Sequence, residues 1–214
     1  VTLLGPAYVL LRPEFADARK RLRLRDGTVR RILVFLGGSD PTNQTQKVVE
    51  ALTLIDRPDI GVDVVVGAGN PNRDTIQALC NQLPNVAFHS QVSNMADLIH
   101  NADLGVGAGG ATMWERYCLG LPTITVVSAA NQERTTEDVA ELGAIEYLGW
   151  STQLRPEDYA RAITGMLEDP QRVKRIGEAA LRVVQAEGEG LQDAMYRIIQ
   201  KAEISHSIPR VVTQ

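Results

Sequence analysis

Aromatic side chains are scarce in this 214-residue chain, at 5% of the total, so any sizeable core must be built from aliphatic residues. Cysteine is scarcer. Cys80 and Cys118 stand far apart, with no CxxC and no His/Cys ligand spacing, which argues against structural zinc. They read as two buried thiols in a reducing cytoplasm, the expected location. The net charge of -4 gives no general attraction to nucleic acid. No apolar run approaches the ~18 residues of a membrane span, so no membrane partner is expected. No signal peptide is recognisable. Val1 stands where methionine would, so a missing native start is expected.

The one basic stretch is Arg19, Lys20, Arg21, Arg23 and Arg25, followed by Arg30 and Arg31. It carries no interleaved aromatics and no nucleic-acid motif, and it is expected to be a solvated surface segment. Ala7–Leu11, an apolar run between Pro6 and Pro13, reads as an edge segment or an entering linker.

Hydrophobic 44% and charged 22% are the proportions of an ordinary globular protein, and the length favours one domain. The chain alternates short apolar runs with helical spacing. Strands are expected at Ile32–Leu36, Val62–Val66, Val86–Phe88, Leu104–Val106, Thr123–Val127 and Ile145–Leu148. Helices are expected at Thr42–Ile55, Arg73–Leu83, Met95–Asn101, through Trp114 to Leu119, and at Glu133–Leu142, Pro156–Leu167, Gln171–Ala186 and Leu191–Ala202. Gly120 and Gly143 read as helix stops. Strands apolar at every position are covered on both faces, and strand–helix alternation implies an α/β fold. Its form would be a Rossmann-like parallel sheet flanked by helices. Ligands in such folds sit beyond the carboxyl ends of the strands.

The strand-end turns therefore hold the candidate site. Gly107-Ala108-Gly109-Gly110-Ala111-Thr112-Met113-Trp114-Glu115 runs from a strand through a glycine turn into a helix. Free N–H groups and a positive helix end suit a diphosphate there. The Thr112 hydroxyl can donate to a phosphate oxygen, and the Glu115 carboxylate suits a ribose diol. The plainer alternative is a tight turn with a Glu favoured by the helix dipole. Gly105–Gly110 also spells GxGxxG, but its first glycine falls inside the strand, which counts against NAD. Gly37-Gly38-Ser39-Asp40 could place Gly38 and Ser39 against a phosphate or sugar, or serve as a helix cap. Without a Walker lysine it is no P-loop. Asn131 and Gln132 could meet sugar hydroxyls or simply open a helix. Val92 could offer its backbone to a uracil edge. His89 and His100 read as structural or surface residues, and His206 has no assigned role.

Several segments resemble the pseudaminic acid pathway UDP-sugar hydrolase family. Leu3–Phe15 is similar to the crossover between its halves, and Ile32–Thr45 to the first strand and glycine loop of its second half. Asn94–Val126 is similar to its nucleotide-binding stretch. Gly120-Leu121-Pro122 also gives a distant likeness to the N-acetylglucosaminyltransferase of lipid II synthesis. The resemblance implies the C-terminal domain of a two-domain glycosyltransferase-B-type enzyme. Residues 1–30 would be the crossover, 31–204 the UDP-sugar-binding domain and 205–214 a loose tail. It implies Glu115 on the ribose; Gly109, Gly110, Ala111 and Thr112 on the diphosphate; and Val92 on the uracil. Gly38 and Ser39 would line the phosphate side, Asn131 and Gln132 the sugar side. The family's base belongs to the first half, so the expected partners are a UDP-sugar and that missing N-terminal domain. No catalytic residue, metal ligand or cofactor is assigned. The implied reaction is hydrolysis to UDP and a free diacetamido-trideoxy sugar. A UDP-sugar-dependent glycosyltransferase and a non-catalytic binding module remain the alternatives.

Overall fold

Six aliphatic runs become the strands of one parallel sheet in the computed structural model, which describes residues 11–184. They are β1 (Arg31–Phe35), β2 (Gly61–Val66), β3 (Val86–Ser90), β4 (Leu104–Ala108), β5 (Thr123–Val127) and β6 (Glu146–Trp150). Their order is β3-β2-β1-β4-β5-β6. Eight helices are described: α1 (Pro13–Lys20), α2 (Gln44–Ile55), α3 (Arg73–Cys80), α4 (Met95–Asn101), α5 (Thr112–Cys118), α6 (Ala130–Glu141), α7 (Pro156–Glu168) and α8 (Pro170–Val183). The expected helix Leu191–Ala202, the tail 205–214, the run 7–10 and the last residues of the expected Gln171–Ala186 helix lie outside the described residues.

Alternate residues of a strand face opposite sides of the sheet. Ile32 and Val34 pack into a core with α2, α3 and α7, while Leu33 and Phe35 pack into a second one with α1, α4 and α5. Both cores are mainly aliphatic, and each fully buried Val, Leu or Ile contributes about 1.5–3 kcal/mol through its removal from water. α8 closes the structure, sending Val173 and Ile176 into the first core and Ala179 and Ala180 into the second.

The stops act as the sequence implies. α5 ends at Leu119 with Gly120 at φ +60°, and α6 ends before Gly143 at φ +67°. These are left-handed angles that a side chain disfavours. β6 extends to Trp150 because a register shift opposite Thr125 and Val126 skips Leu148, with Gly149 at φ +98°.

The basic stretch is not the solvated segment its composition suggested. Lys20 and Arg21 are exposed, but three of the arginines turn inward onto helix ends. Arg25 donates to the carbonyls of Ile99 at 2.8 Å, Ala102 at 2.8 Å and Leu119 at 2.6 Å. Arg23 donates to Ala102 O and to Asp103, and Arg19 donates to Cys118 O. These carbonyls lie at the C-terminal ends of α4 and α5, where no intrahelical donor reaches them and the dipole is negative. Burial pushes the Arg25 pKa down to about 10.

Candidate functional site

The sheet order places β1 beside β4, with the chain running outward from β1 to β2 and returning to β4. The crevice beyond their carboxyl ends is the topological switch point of a doubly wound sheet, where such folds bind ligands. The loop after β1 and the turn into α5 therefore flank one opening.

Asp40 builds the first of these loops. It is 3% exposed and accepts from Gln44 N at 2.9 Å and Thr45 N at 2.7 Å, satisfying two free donors of α2. Gly38 and Ser39 stay exposed at the rim. A Cβ on Gly67 would lie 2.0 Å from Gly38 O, so the loops after β1 and β2 touch backbone to backbone.

Gly105 and Gly107 are buried strand residues of β4. A Cβ on Gly105 would lie 2.9 Å from Thr123 Oγ1, and one on Gly107 would lie 2.6 Å from the Arg116 guanidinium. The GxGxxG spelling thus has a packing cause. Gly109 needs a correction. Its N–H is already donated to Val126 O at 2.9 Å, and a Cβ there would lie 2.1 Å from Thr136 Oγ1. It is a close-approach residue under α6, with no N–H left for a phosphate. The N–H groups of Gly110, Ala111 and Thr112 follow at the mouth of α5, and none of them is donated to a backbone carbonyl among the described residues.

Glu115 projects back from the first turn of α5 and is 9% exposed. Its Oε1 accepts from Arg12 Nε at 2.9 Å, while its Oε2 is buried without a donor. The two residues line a cavity of about 310 Å³ together with Val92, Thr112, Phe35, Gly67, Ala68, Gln91 and Met95. That volume lies within the range of small-molecule sites. Val92 follows Gln91, whose φ of +53° turns the chain after β3. The Val92 N–H and C=O bond to nothing among the described residues.

Val92, Thr112 and Glu115 therefore meet in one cavity. Gly110 meets Gln132 instead, whose Nε2 would lie 3.5 Å from a Cβ at Gly110 while its Oε1 accepts from Ser128 N. Asn131 and Gln132 belong to the first turn of α6 rather than to a loop, and Asn131 is exposed. Gly38, Ser39, Asn131 and Gln132 do not line the cavity. Arg12, Phe35, Gly67, Ala68 and Gln91 were not read as site residues. Gly67-Ala68 did end a recognised strand, and Arg12 lay in the crossover motif, which were the available signals.

His89 Nε2 bonds Asp63 Oδ1 at 2.8 Å, and Asp63 also takes two bonds from Arg31, so His89 has a structural partner. The His100 pKa is lowered by burial and by the nearby Arg23 and Arg25. No group of three or more His, Cys, Asp or Glu that could hold a metal occurs among the described residues. No described helix is long and apolar enough to cross a membrane.

Residues 32–200 match the glycosyltransferase family 28 C-terminal domain. The chain belongs to this family. It is 33% identical over 146 residues to the spore coat polysaccharide biosynthesis protein SpsG of Bacillus subtilis, covering 68% of this chain and 43% of that protein. It is 24% identical over 180 residues to the UDP-N-acetylglucosamine–N-acetylmuramyl-(pentapeptide) pyrophosphoryl-undecaprenol N-acetylglucosamine transferase of Latilactobacillus sakei, covering 80% of this chain and 47% of that one. Among solved structures it superposes on Acinetobacter baumannii MurG with a TM-score of 0.65 at 19% identity, over 94% of this chain and 56% of that one. The chain thus spans less than half the length of these curated relatives. The family 28 domain here is a Rossmann-like α/β fold, a six-stranded parallel sheet flanked by helices.

Proposed function

We propose that this family 28 domain binds a UDP-sugar and forms the nucleotide-binding half of a UDP-sugar hydrolase. The observation that carries the reading is Glu115. It presents a buried carboxylate with one donor-free oxygen at the wall of a cavity beyond the sheet's carboxyl ends. An unpaired buried carboxylate oxygen is costly, and a ribose hydroxyl would satisfy it. Val92 offers a free donor and acceptor to the uracil edge. Gly110, Ala111 and Thr112 face the diphosphate, stabilising it as it becomes the leaving group. Gly38 and Ser39 lie on the phosphate side, and Gln132, with Asn131 beside it, on the sugar side. Residues 1–30 are the crossover from an N-terminal domain that supplies the base for water. The overall reaction releases UDP and a free diacetamido-trideoxy sugar for pseudaminic acid synthesis.

Calorimetric titration with UDP tests the binding. Saturable binding that falls about tenfold or more in Glu115→Ala, with no comparable binding of NAD, is the expected result. UDP binding unchanged by the substitution would remove the ribose role. A second reading, glycosyl transfer, draws support from the likeness to the Latilactobacillus transferase. Release of free sugar from a UDP-sugar by the protein joined to its N-terminal partner domain, without any acceptor, favours hydrolysis. Turnover that appears only on adding an acceptor favours transfer.

A further inference from the structure

Arg116 is 3% exposed, yet no carboxylate lies within 4 Å of its guanidinium among the described residues. Its two bonds both go to the glycine turn. One N–H donates to Ala108 O at 2.8 Å and another to Thr112 Oγ1 at 3.3 Å, while Nε is buried without an acceptor. β4 is built to admit it, since any Cβ on Gly107 would lie 2.6 Å from its terminal nitrogen and 2.8 Å from Cζ. Burial pushes its pKa down, but a guanidinium stays charged in any ordinary buffer. The neighbouring carboxylate, Glu115, is bonded to Arg12 instead. A positive charge is therefore held beneath the turn with no carboxylate paired to it among the described residues, Glu115 acting on it only from a distance, an arrangement that is costly unless an anion completes it.

We infer that Arg116 is a positioning residue and fixed counter-charge for the diphosphate of a bound nucleoside diphosphate, acting from behind the turn through Thr112. The inference rests on the nucleotide-binding reading above. Arg116 donates to Thr112 Oγ1, so the oxygen serves as acceptor on its buried side and its own O–H is left to donate outward to a phosphate oxygen. The bond to Ala108 O fixes the start of the same turn. The charge acts through little water and so is weakly screened.

The test compares UDP with uridine, which lacks the phosphates. Both are titrated into the wild type, Arg116→Met, Thr112→Val and Thr112→Ser, with the thermal midpoint of each recorded. Arg116→Met is expected to lower UDP affinity at least about tenfold and to leave uridine affinity within about twofold. Thr112→Val should lower the UDP-to-uridine ratio in the same direction, and Thr112→Ser should restore it. A ratio unchanged in Arg116→Met overturns the inference. So do equal losses for both ligands, because a merely structural arginine would weaken both. If Arg116→Met does not fold, the two Thr112 variants decide by the same ratio. A wild type that binds UDP with an unaltered ratio in the variants removes this inference and the Thr112 contact, and leaves the rest of the nucleotide reading standing. A wild type that binds neither ligand removes the nucleotide reading and this inference with it.

Discussion

Arg12 and Glu115 are 103 residues apart and meet at 2.9 Å on the wall of the cavity. The Arg12 side chain is about half exposed, so this ion pair is screened and adds at most about 1 kcal/mol to stability. Its larger consequence is to fix one Glu115 oxygen while the other stays without a donor on the cavity wall. Arg12→Met should therefore lower the unfolding free energy measured in urea by less than about 1 kcal/mol while lowering UDP affinity about threefold or more by titration. Asp40 is a contrasting case. It satisfies two α2 donors from a φ of +37°, in the left-handed region that Asn tolerates and Ala does not. Asp40→Ala should cost about 1–2 kcal/mol in chemical denaturation, and Asp40→Asn clearly less. Equal losses in the two variants would mean that the backbone angle contributes nothing.

Among elements, the helix ends carry what sequence reading did not reach. Arg25 joins the C-termini of α4 and α5 through three short bonds to carbonyls 74 to 94 positions away. Arg25→Met takes the side-chain donor from the Ile99 and Leu119 carbonyls, while Ala102 O keeps its bond from Arg23, and should cost about 2–3 kcal/mol, read as a lower urea midpoint at constant slope. The strands and the turns after them were legible, because aliphatic runs and glycine punctuation are local signals. α1 was not, since only Phe15 and Ala18 are buried in its eight residues, too few to show a period. The basic stretch misled for a related reason. Composition reports charge, while the acceptors that draw Arg19, Arg23 and Arg25 inward are set by tertiary structure. Within the site, Thr112 and Glu115 were read from the glycine turn and the helix after it, and Val92 from the loop after β3. Arg12 and Phe35 became visible only once the sheet order had brought their segments together. Gly109 was misread because its N–H partner, Val126 O, belongs to the neighbouring strand.

Across the whole molecule, the scarcity of aromatics leaves two cores of aliphatic side chains, and the ionisable groups that belong to those apolar clusters include thiols and phenols. Cys80 belongs to the first core and Cys118 to the second. Burial pushes the Cys80 thiol up to about 11, raises Cys118, and pushes the Tyr117 phenol up to about 12. Each folded-state pKa lies above its unfolded value. The folded chain therefore retains protons that the unfolded chain releases, and stability falls as pH rises. The full stability is present below the unfolded thiol pKa of about 8.5, and the loss attributable to Cys80 runs from there to about pH 11. Between pH 8 and pH 10 the unfolding free energy should drop by about 1–2 kcal/mol, with tyrosine ionisation steepening the fall above that. Urea unfolding at pH 7, 8, 9 and 10 measures the slope. Cys80→Ala removes the principal thiol, so its pH 8–10 loss should be visibly smaller than that of the wild type, even if the smaller side chain lowers stability at every pH. A wild-type stability that stays flat to pH 10 would mean that these thiols reach water in the folded state, contrary to their positions in the two cores.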